Sequence, residues 1–388
     1  MTAPQFLSAR DGRYASLFTL PHADQLRAFA DMRRFYPTRI VRRGERIREL
    51  PEGAPLDFTY EADGQDLGIA DFMQRCHTTG VLILDRGRIV LERYALGHTP
   101  QTRWISFSVA KSFTSTLIGA ALHDGAISSL DEAVTHSVPR LRGSAYDGVT
   151  IRQVLEMSSG VRWIETYLDP DSDRRKMLEL QASEQPGAVL DYLHTLPRAA
   201  APGRCFNYNT AETFLLGAIL SGALGLPLCD VLSEKIWRPC GMECDAYWQL
   251  ESEGGQEFAG SGLSACLRDY ARFGAFVLAD GVIDGRRVLP EGWMEASTAV
   301  RPGTVLAPGR LPGYEPLGYG HQWWAFPPTF GRRVFGALGI FGQQIYVDVD
   351  AQLVIALHSA WPEPVHETSR LESYVFFRAA TRALRERS

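Results

Sequence analysis

From Gly80 to Tyr94, the apolar runs Val81-Leu82-Ile83-Leu84 and Ile89-Val90-Leu91 stand on either side of the tight polar turn Asp85-Arg86-Gly87-Arg88, which predicts a β-hairpin. A second such pair, Gln343 to Asp348 and Leu353 to His358 about a turn at Val349-Asp350-Ala351, predicts another hairpin near the C-terminus. The segment Val109 to Leu122 reads differently. Nearly every position is apolar or small, so it predicts a buried helix that stops at Gly125, approached by the extended Trp104-Ile105-Ser106-Phe107. Helical spacing and loop signals dominate from Leu122 to Asp245, and Glu372 to Arg387 predicts a closing helix. Strands early and late with helices between imply that the two ends of the chain build one sheet while the middle forms a helical lobe. The expected division is 1–130 with 256–388 for the sheet domain and 131–255 for the helical one.

Composition narrows the class. A chain of 388 residues, 45% hydrophobic and 22% charged, is long enough for one large core or two joined ones. A net charge of -5 removes the electrostatic motive for binding nucleic acid or an anionic membrane. The basic run Arg42-Arg43-Gly44-Glu45-Arg46-Ile47-Arg48 reads as a solvated surface turn. Met1 to Phe6 lacks a basic start followed by an apolar run, and no stretch approaches the ~20 apolar residues of a membrane span, so a cytoplasmic location is expected. Six cysteines in so long a chain are not a disulfide framework, and Cys240-Gly241-Met242-Glu243-Cys244 has no histidine near it. Free or buried thiols are expected, with no metal.

The candidate chemistry begins with lysine. Of the 40 Lys and Arg residues only Lys111, Lys176 and Lys235 are lysine. Arginine stays protonated, whereas a desolvated lysine can lose its proton near neutrality and act as a base. Lys111 stands three residues after Ser108 at the predicted start of the buried helix, so hydroxyl and amine share a face. The positive end of the helix dipole there disfavours an ammonium and favours an oxyanion. Both effects suit a nucleophilic serine activated by a neutral lysine.

A Ser-x-x-Lys helix, a tyrosine about 100 residues on at Phe206-Asn207-Tyr208-Asn209-Thr210, and a glycine-rich late strand resemble the serine hydrolases of the β-lactamase and penicillin-binding fold. Within that fold the chain resembles the 6-aminohexanoate-dimer hydrolase group, related to class C β-lactamases and their esterase cousins. The resemblance runs from about Arg39 to the last helix. It includes Phe107-Ser108-Val109-Ala110-Lys111-Ser112, Ser144-Ala145-Tyr146-Asp147-Gly148, Tyr167-Leu168-Asp169-Pro170, Asp269-Tyr270-Ala271-Arg272-Phe273-Gly274, Gln322-Trp323-Trp324 and Gly339-Ile340-Phe341-Gly342-Gln343. It implies an α/β fold, an antiparallel sheet flanked by helices with a second, mainly helical domain. It further implies Ser108 as acylated nucleophile, Lys111 as its proton acceptor, and Tyr208 as proton relay to the leaving group. The backbone N–H groups of Ser108 and Ile340 would form the oxyanion hole. Tyr167 corresponds to a loop tyrosine closing over substrate, and Trp324 to part of the pocket wall.

Three departures shape the substrate expectation. Thr210 fills the asparagine slot of the β-lactamase Tyr-x-Asn, and Ala337-Leu338-Gly339 stands where Lys-Thr-Gly would supply a cation. Both argue against β-lactams and cell-wall peptides. Eleven residues after the loop tyrosine, where nylon-oligomer enzymes can carry an acid, stands Leu178 with Glu179 beside it, which counts against nylon-type amide specificity. His321, His358 and His366 are read as structural, since no Gly-x-Ser-x-Gly elbow is present. The expectation is a cofactor-free serine hydrolase acting through an acyl-enzyme on small esters and, second, linear amides; a homodimer is compatible. The alternatives are a β-lactamase or D-alanyl peptidase, or a catalytically inactive binding protein on the same scaffold.

Overall fold

A computed structural model describes residues 17–299 and 316–387, so Met1 to Phe6 lies outside the described residues. The frame of the site is a seven-stranded antiparallel sheet. Its strands are β1 (Thr78–Asp85), β2 (Arg88–Tyr94), β3 (Gly318–Tyr319), β4 (Trp324–Ala325), β5 (Val334–Gly339), β6 (Gln343–Asp348) and β7 (Leu353–Ser359), in the spatial order β3-β4-β5-β6-β7-β1-β2. The early hairpin therefore adds to the late one, with β7 paired to β1 from Leu353↔Asp85 to Ser359↔Thr78. The Arg86-Gly87 loop has positive φ at both residues, the two-residue turn whose twist matches the flanking strands.

Period-two alternation divides the sheet into two buried faces. Leu82, Leu84, Ile345, Val347, Val354 and Ala356 belong to one hydrophobic cluster, and Val81, Ile83, Tyr346, Ile355 and Leu357 to the other. The first cluster includes residues of the helices α1 (Val109–His123), α2 (Thr210–Leu224) and α3 (Leu267–Leu278). The closing helix, α4 (Glu367–Arg385), covers the other face with Tyr374, Phe376 and Phe377. It begins five residues earlier than the sequence predicts, because His366 caps it: Nδ1 accepts the Ser369 N–H. From Val134 to Trp237 every named element is helical. A smaller four-stranded sheet joins Thr38–Val41, Ala246–Gln249, Leu263–Ala265 and Trp104–Ile105. Among the described residues no single helix is long and apolar enough to cross a membrane.

The basic run forms a surface turn, with Arg46 and Arg48 on Asp284. All six cysteines are free. Cys244 is grouped with Cys266 and Asp269 within 4.8 Å, not with Cys240. The Asp269 carboxylate is already held by Arg272 at 3.0 Å and by the Glu243 and Cys244 backbone N–H groups.

Candidate active site

The strand Trp104–Ile105 delivers the chain to Ser108, which sits at the N-terminus of α1 and is buried to 8% exposure. The turn is strained: Phe107 adopts φ 44°, in the left-handed region that a bulky L-residue avoids. Across the site Ile340 follows β5, and the next residue, Phe341, also lies at positive φ, 58°. Phe107 and Phe341 pack against each other at 5.3 Å between ring centroids, and both pack on Phe29 at 5.1 Å. The two strained turns thus brace one another through a shared aromatic contact.

Close approach of these turns depends on Gly339. A Cβ there would lie 2.7 Å from the Ser106 carbonyl oxygen and 3.2 Å from the Ser108 nitrogen. The end of β5 therefore runs directly against the backbone of Ser108. The Phe341 N–H donates to the Pro364 carbonyl, and Trp361 N–H donates to the Phe341 carbonyl, tying this turn to the loop above the site.

Lys111 is buried to 1% exposure in the first turn of α1. Its Nζ lies 3.1 Å from Ser108 Oγ, 2.9 Å from Thr210 Oγ1 and 2.8 Å from the Gly260 carbonyl oxygen. A carbonyl can only accept. Thr210 donates its own proton to Glu165, so its oxygen also accepts from Lys111. Two of the three tetrahedral directions at Nζ are consequently N–H donors, and the third points at Ser108. In the neutral amine that direction carries the lone pair. Burial pulls the Lys111 pKa down from 10.5 to about 7; the Glu165 charge raises it and Arg174 lowers it further.

Tyr208 precedes α2 and is held by local chemistry, since the next residue, Asn209, caps that helix by accepting from the Ala211 and Glu212 N–H groups. The Tyr208 ring centroid is 5.0 Å from Lys111 Nζ and stacks on Trp324 at 5.7 Å. A cavity of about 320 Å³ opens on Ser108 and is lined by Tyr208, Tyr167, Trp324 and Ile340 among others. An adjoining cleft of about 750 Å³ shares Tyr167 and Tyr208 with it. Five of the six residues singled out in the sequence thus line one cavity, and the sixth, Lys111, reaches it through Ser108. None of the three histidines lines either space. His358 is paired with His98 in the core, and His321 lies 3.9 Å from Glu156. Leu178 is buried in the cluster that holds Phe107 and Ile340, and Glu179 is a surface partner of Lys176.

Three contributors escaped the sequence reading: Glu165, Gly260, and Thr210 in a positive role. The Glu165 carboxylate, 9% exposed, accepts from Thr210 Oγ1, from the Thr210 N–H at 2.9 Å and from Trp163 Nε1 at 2.5 Å, with Tyr167 Oη at 3.4 Å. It thereby joins the loop tyrosine to the lysine through Thr210. Glu165 lies two residues before Tyr167, and that adjacency was the one signal available.

This arrangement of serine, buried lysine and tyrosine can be set beside known proteins. The Beta-lactamase family model matches residues 65–379. The chain is 31% identical to the 6-aminohexanoate-dimer hydrolase of Paenarthrobacter ureafaciens over 346 residues, 87% of this chain and 86% of that one. A Bacillus anthracis structure provisionally called a 6-aminohexanoate-dimer hydrolase superposes with a TM-score of 0.82 at 25% identity, covering 98% of each chain. The D-stereospecific amidohydrolase of a Streptomyces species shares the fold at a TM-score of 0.61 and 18% identity, over 80% of this chain and 98% of that one. A match over most of the chain, a relative above 30% identity and a near-complete superposition agree: the chain belongs to the beta-lactamase family and is a serine hydrolase of that fold.

Proposed function

We propose that the protein hydrolyses small carboxylic esters, and secondarily linear amides, through an acyl-enzyme on Ser108. One observation carries the reading: Lys111 Nζ, 3.1 Å from Ser108 Oγ, has its other two directions committed as donors to Gly260 and Thr210. Its lone pair faces the hydroxyl. Ser108 Oγ attacks the carbonyl carbon while its proton passes to Lys111, and the Ser108 and Ile340 N–H groups stabilise the oxyanion. The proton then reaches the leaving alcohol or amine through Tyr208, whose ring centroid lies 5.0 Å from Lys111 Nζ. Water attacks the acyl-enzyme by the reverse route and frees the acid. Tyr167 and Trp324 wall the cavity beside the reacting carbon.

Esters come first because an alkoxide needs less help from a proton donor than an amine does. Linear amides come second, in keeping with a relative named for hydrolysing 6-aminohexanoate dimer. A β-lactamase or peptidase reading has less support, since Ala337, Leu338 and Gly339 at the end of β5 provide no cation. The inactive-scaffold reading has none, as the chain keeps its serine, lysine and tyrosine together. A cytoplasmic location is part of the proposal, checked by cell fractionation. The reaction is tested with a fluorophosphonate probe and a panel of p-nitrophenyl esters. The parent protein should be labelled and turn over, and Ser108→Ala should do neither while keeping its circular dichroism. Labelling or near-parent turnover by the alanine variant overturns the assignment.

A further inference from the structure

Two thiols outside the active site meet at one end of the smaller sheet. Cys244, half-buried, and Cys266, fully buried, place their sulfurs within 4.8 Å of each other and of the Asp269 carboxylate. The fold dictates the meeting. Tyr247 pairs with Ser264 in antiparallel register, so the chain running back from Tyr247 to Cys244 and on from Ser264 to Cys266 leaves that ladder in the same direction. Cys266 is the residue before α3, and its side chain caps none of the helix N–H groups, which leaves the thiol to its neighbour. Asp269, in the first turn of α3, fastens both cysteines by their backbones. Its N–H donates to the Cys266 carbonyl at 3.1 Å, and its Oδ2 accepts the Cys244 N–H at 3.0 Å.

The Asp269 carboxylate is spent on these contacts. Its other oxygen accepts from the Glu243 N–H at 2.7 Å and from Arg272 at 3.0 Å, so a metal would have to displace a guanidinium to use it. What remains is a thiol pair of unequal character. The S–H of Cys266 donates to Cys244, and that bond holds the Cys244 thiol below its ordinary pKa, against burial and the Asp269 and Glu243 charges and with Arg103 assisting. The same bond, together with burial, keeps Cys266 protonated. A half-buried sulfur with thiolate character beside a protonated thiol is the arrangement of an attacking cysteine and its resolving partner.

We propose that Cys244 and Cys266 form a reversible oxidation site for hydroperoxides, in which Cys244 is oxidised and Cys266 resolves it. The Cys244 thiolate attacks a peroxide oxygen, the O–O bond breaks, and the departing alkoxide or hydroxide takes up a proton to leave a sulfenic acid on Cys244. The Cys266 sulfur attacks the sulfenic sulfur; its own proton leaves with the displaced hydroxide as water, and the two sulfurs close to the ~2.0 Å of a disulfide. Two thiols and one hydroperoxide thus give one disulfide, one alcohol (water, where the oxidant is hydrogen peroxide) and one water. The disulfide intercepts Cys244 before it reaches the sulfinic acid, which thiols do not reverse. It also cross-links the stretch from Cys244 to Cys266 that contains Gly260, whose carbonyl lies 2.8 Å from Lys111 Nζ, without touching a reacting atom.

Peptide mapping of the folded full chain tests the site. The protein is treated with hydrogen peroxide, its remaining thiols are alkylated, and it is digested without reduction by trypsin and a glutamate-specific protease. Cleavage after Glu243, Glu251, Glu257 and Arg268 puts Cys240, Cys244 and Cys266 on separate peptides. Peptides 244–251 and 258–268 should appear joined, and dithiothreitol should part them. In Cys266→Ser, dimedone should trap a sulfenic acid on Cys244 at least about tenfold more than on the buried Cys76, and further peroxide should carry Cys244 to a sulfinic acid that dithiothreitol does not reverse. In Cys244→Ser, Cys266 should stay reduced. Unlinked 244–251 and 258–268 peptides in the parent, at a peroxide concentration that oxidises the exposed Cys205, overturn the site. So does a bond from Cys240 to Cys244, or a Cys266→Ser protein that accumulates no oxidised Cys244.

Discussion

Replacing Lys111 by methionine should destroy activity and raise stability at neutral pH. The amine is buried to 1% exposure, and its pKa is pulled from 10.5 to about 7, chiefly by burial. A pKa difference of one between folded and unfolded states is worth about 1.4 kcal/mol, so at and below pH 7 the folded state carries a penalty near ~5 kcal/mol relative to a lysine free in the unfolded chain. Methionine fills a similar volume without the charge. It also leaves the Gly260 carbonyl and Thr210 Oγ1 without the lysine, which gives back about 1–3 kcal/mol. The expected net gain is about 2 kcal/mol, or about 2–3 °C for a chain of this length. The sign with pH follows from proton counting. The unfolded state holds the lysine proton up to its ordinary pKa while the folded state releases it near 7, so parental stability rises with pH across that window. The gap between variant and parent should be constant below pH 7, shrink above it by up to about 1.4 kcal/mol per pH unit, vanish between about pH 8 and 9, and reverse in the parent's favour towards 10.5. Equilibrium urea unfolding of both proteins at pH 6, 7, 8.5 and 10 measures it. A gap that does not change between pH 7 and pH 10 would show that Lys111 keeps an ordinary pKa in the fold, and would remove it as a neutral base.

Glu165→Gln removes the charge that raises the Lys111 pKa, so the acid limb of the kcat/KM profile, expected near pH 7 in the parent, should move to lower pH; a limb that stays put or moves up would sever Glu165 from Lys111. Tyr208→Phe should slow an alkyl amide, or an unactivated alkyl ester if amides are not cleaved, by a larger factor than a p-nitrophenyl ester. General acid catalysis contributes on the order of 10²–10⁴-fold, and equal losses, with acylation shown by burst kinetics to limit both reactions, would remove the leaving-group role. Gly339→Ala brings a Cβ to 2.7 Å from the Ser106 carbonyl and should cost about 1–3 kcal/mol of stability together with most acylation, since the clash lies against Ser108; a fully active alanine variant would mean that β5 does not set the oxyanion site.

What could be read from the chain alone was whatever local periodicity encodes. Both hairpins follow from apolar runs broken by a polar turn, and α1 from a run of apolar and small residues ended by Gly125 at φ 77°. Lys111 stood out as one of three lysines, and its place three residues after Ser108 puts both on one helix face. Where the local signal was atypical, the reading slipped: α4 starts at a histidine cap, outside the usual Ser, Thr, Asp and Asn, and its first turn went unseen. The residues that hold the Lys111 amine could not be read this way. Thr210 is 99 residues from it in sequence and Gly260 is 149, and only the packing of α1 on α2 and on the Gly260 turn puts their oxygens on Nζ. Periodicity specifies which way a side chain points along its own element. Which partner it meets, and whether its charge survives burial, depends on desolvation and contact between elements distant in sequence, and those exist only once the chain has folded.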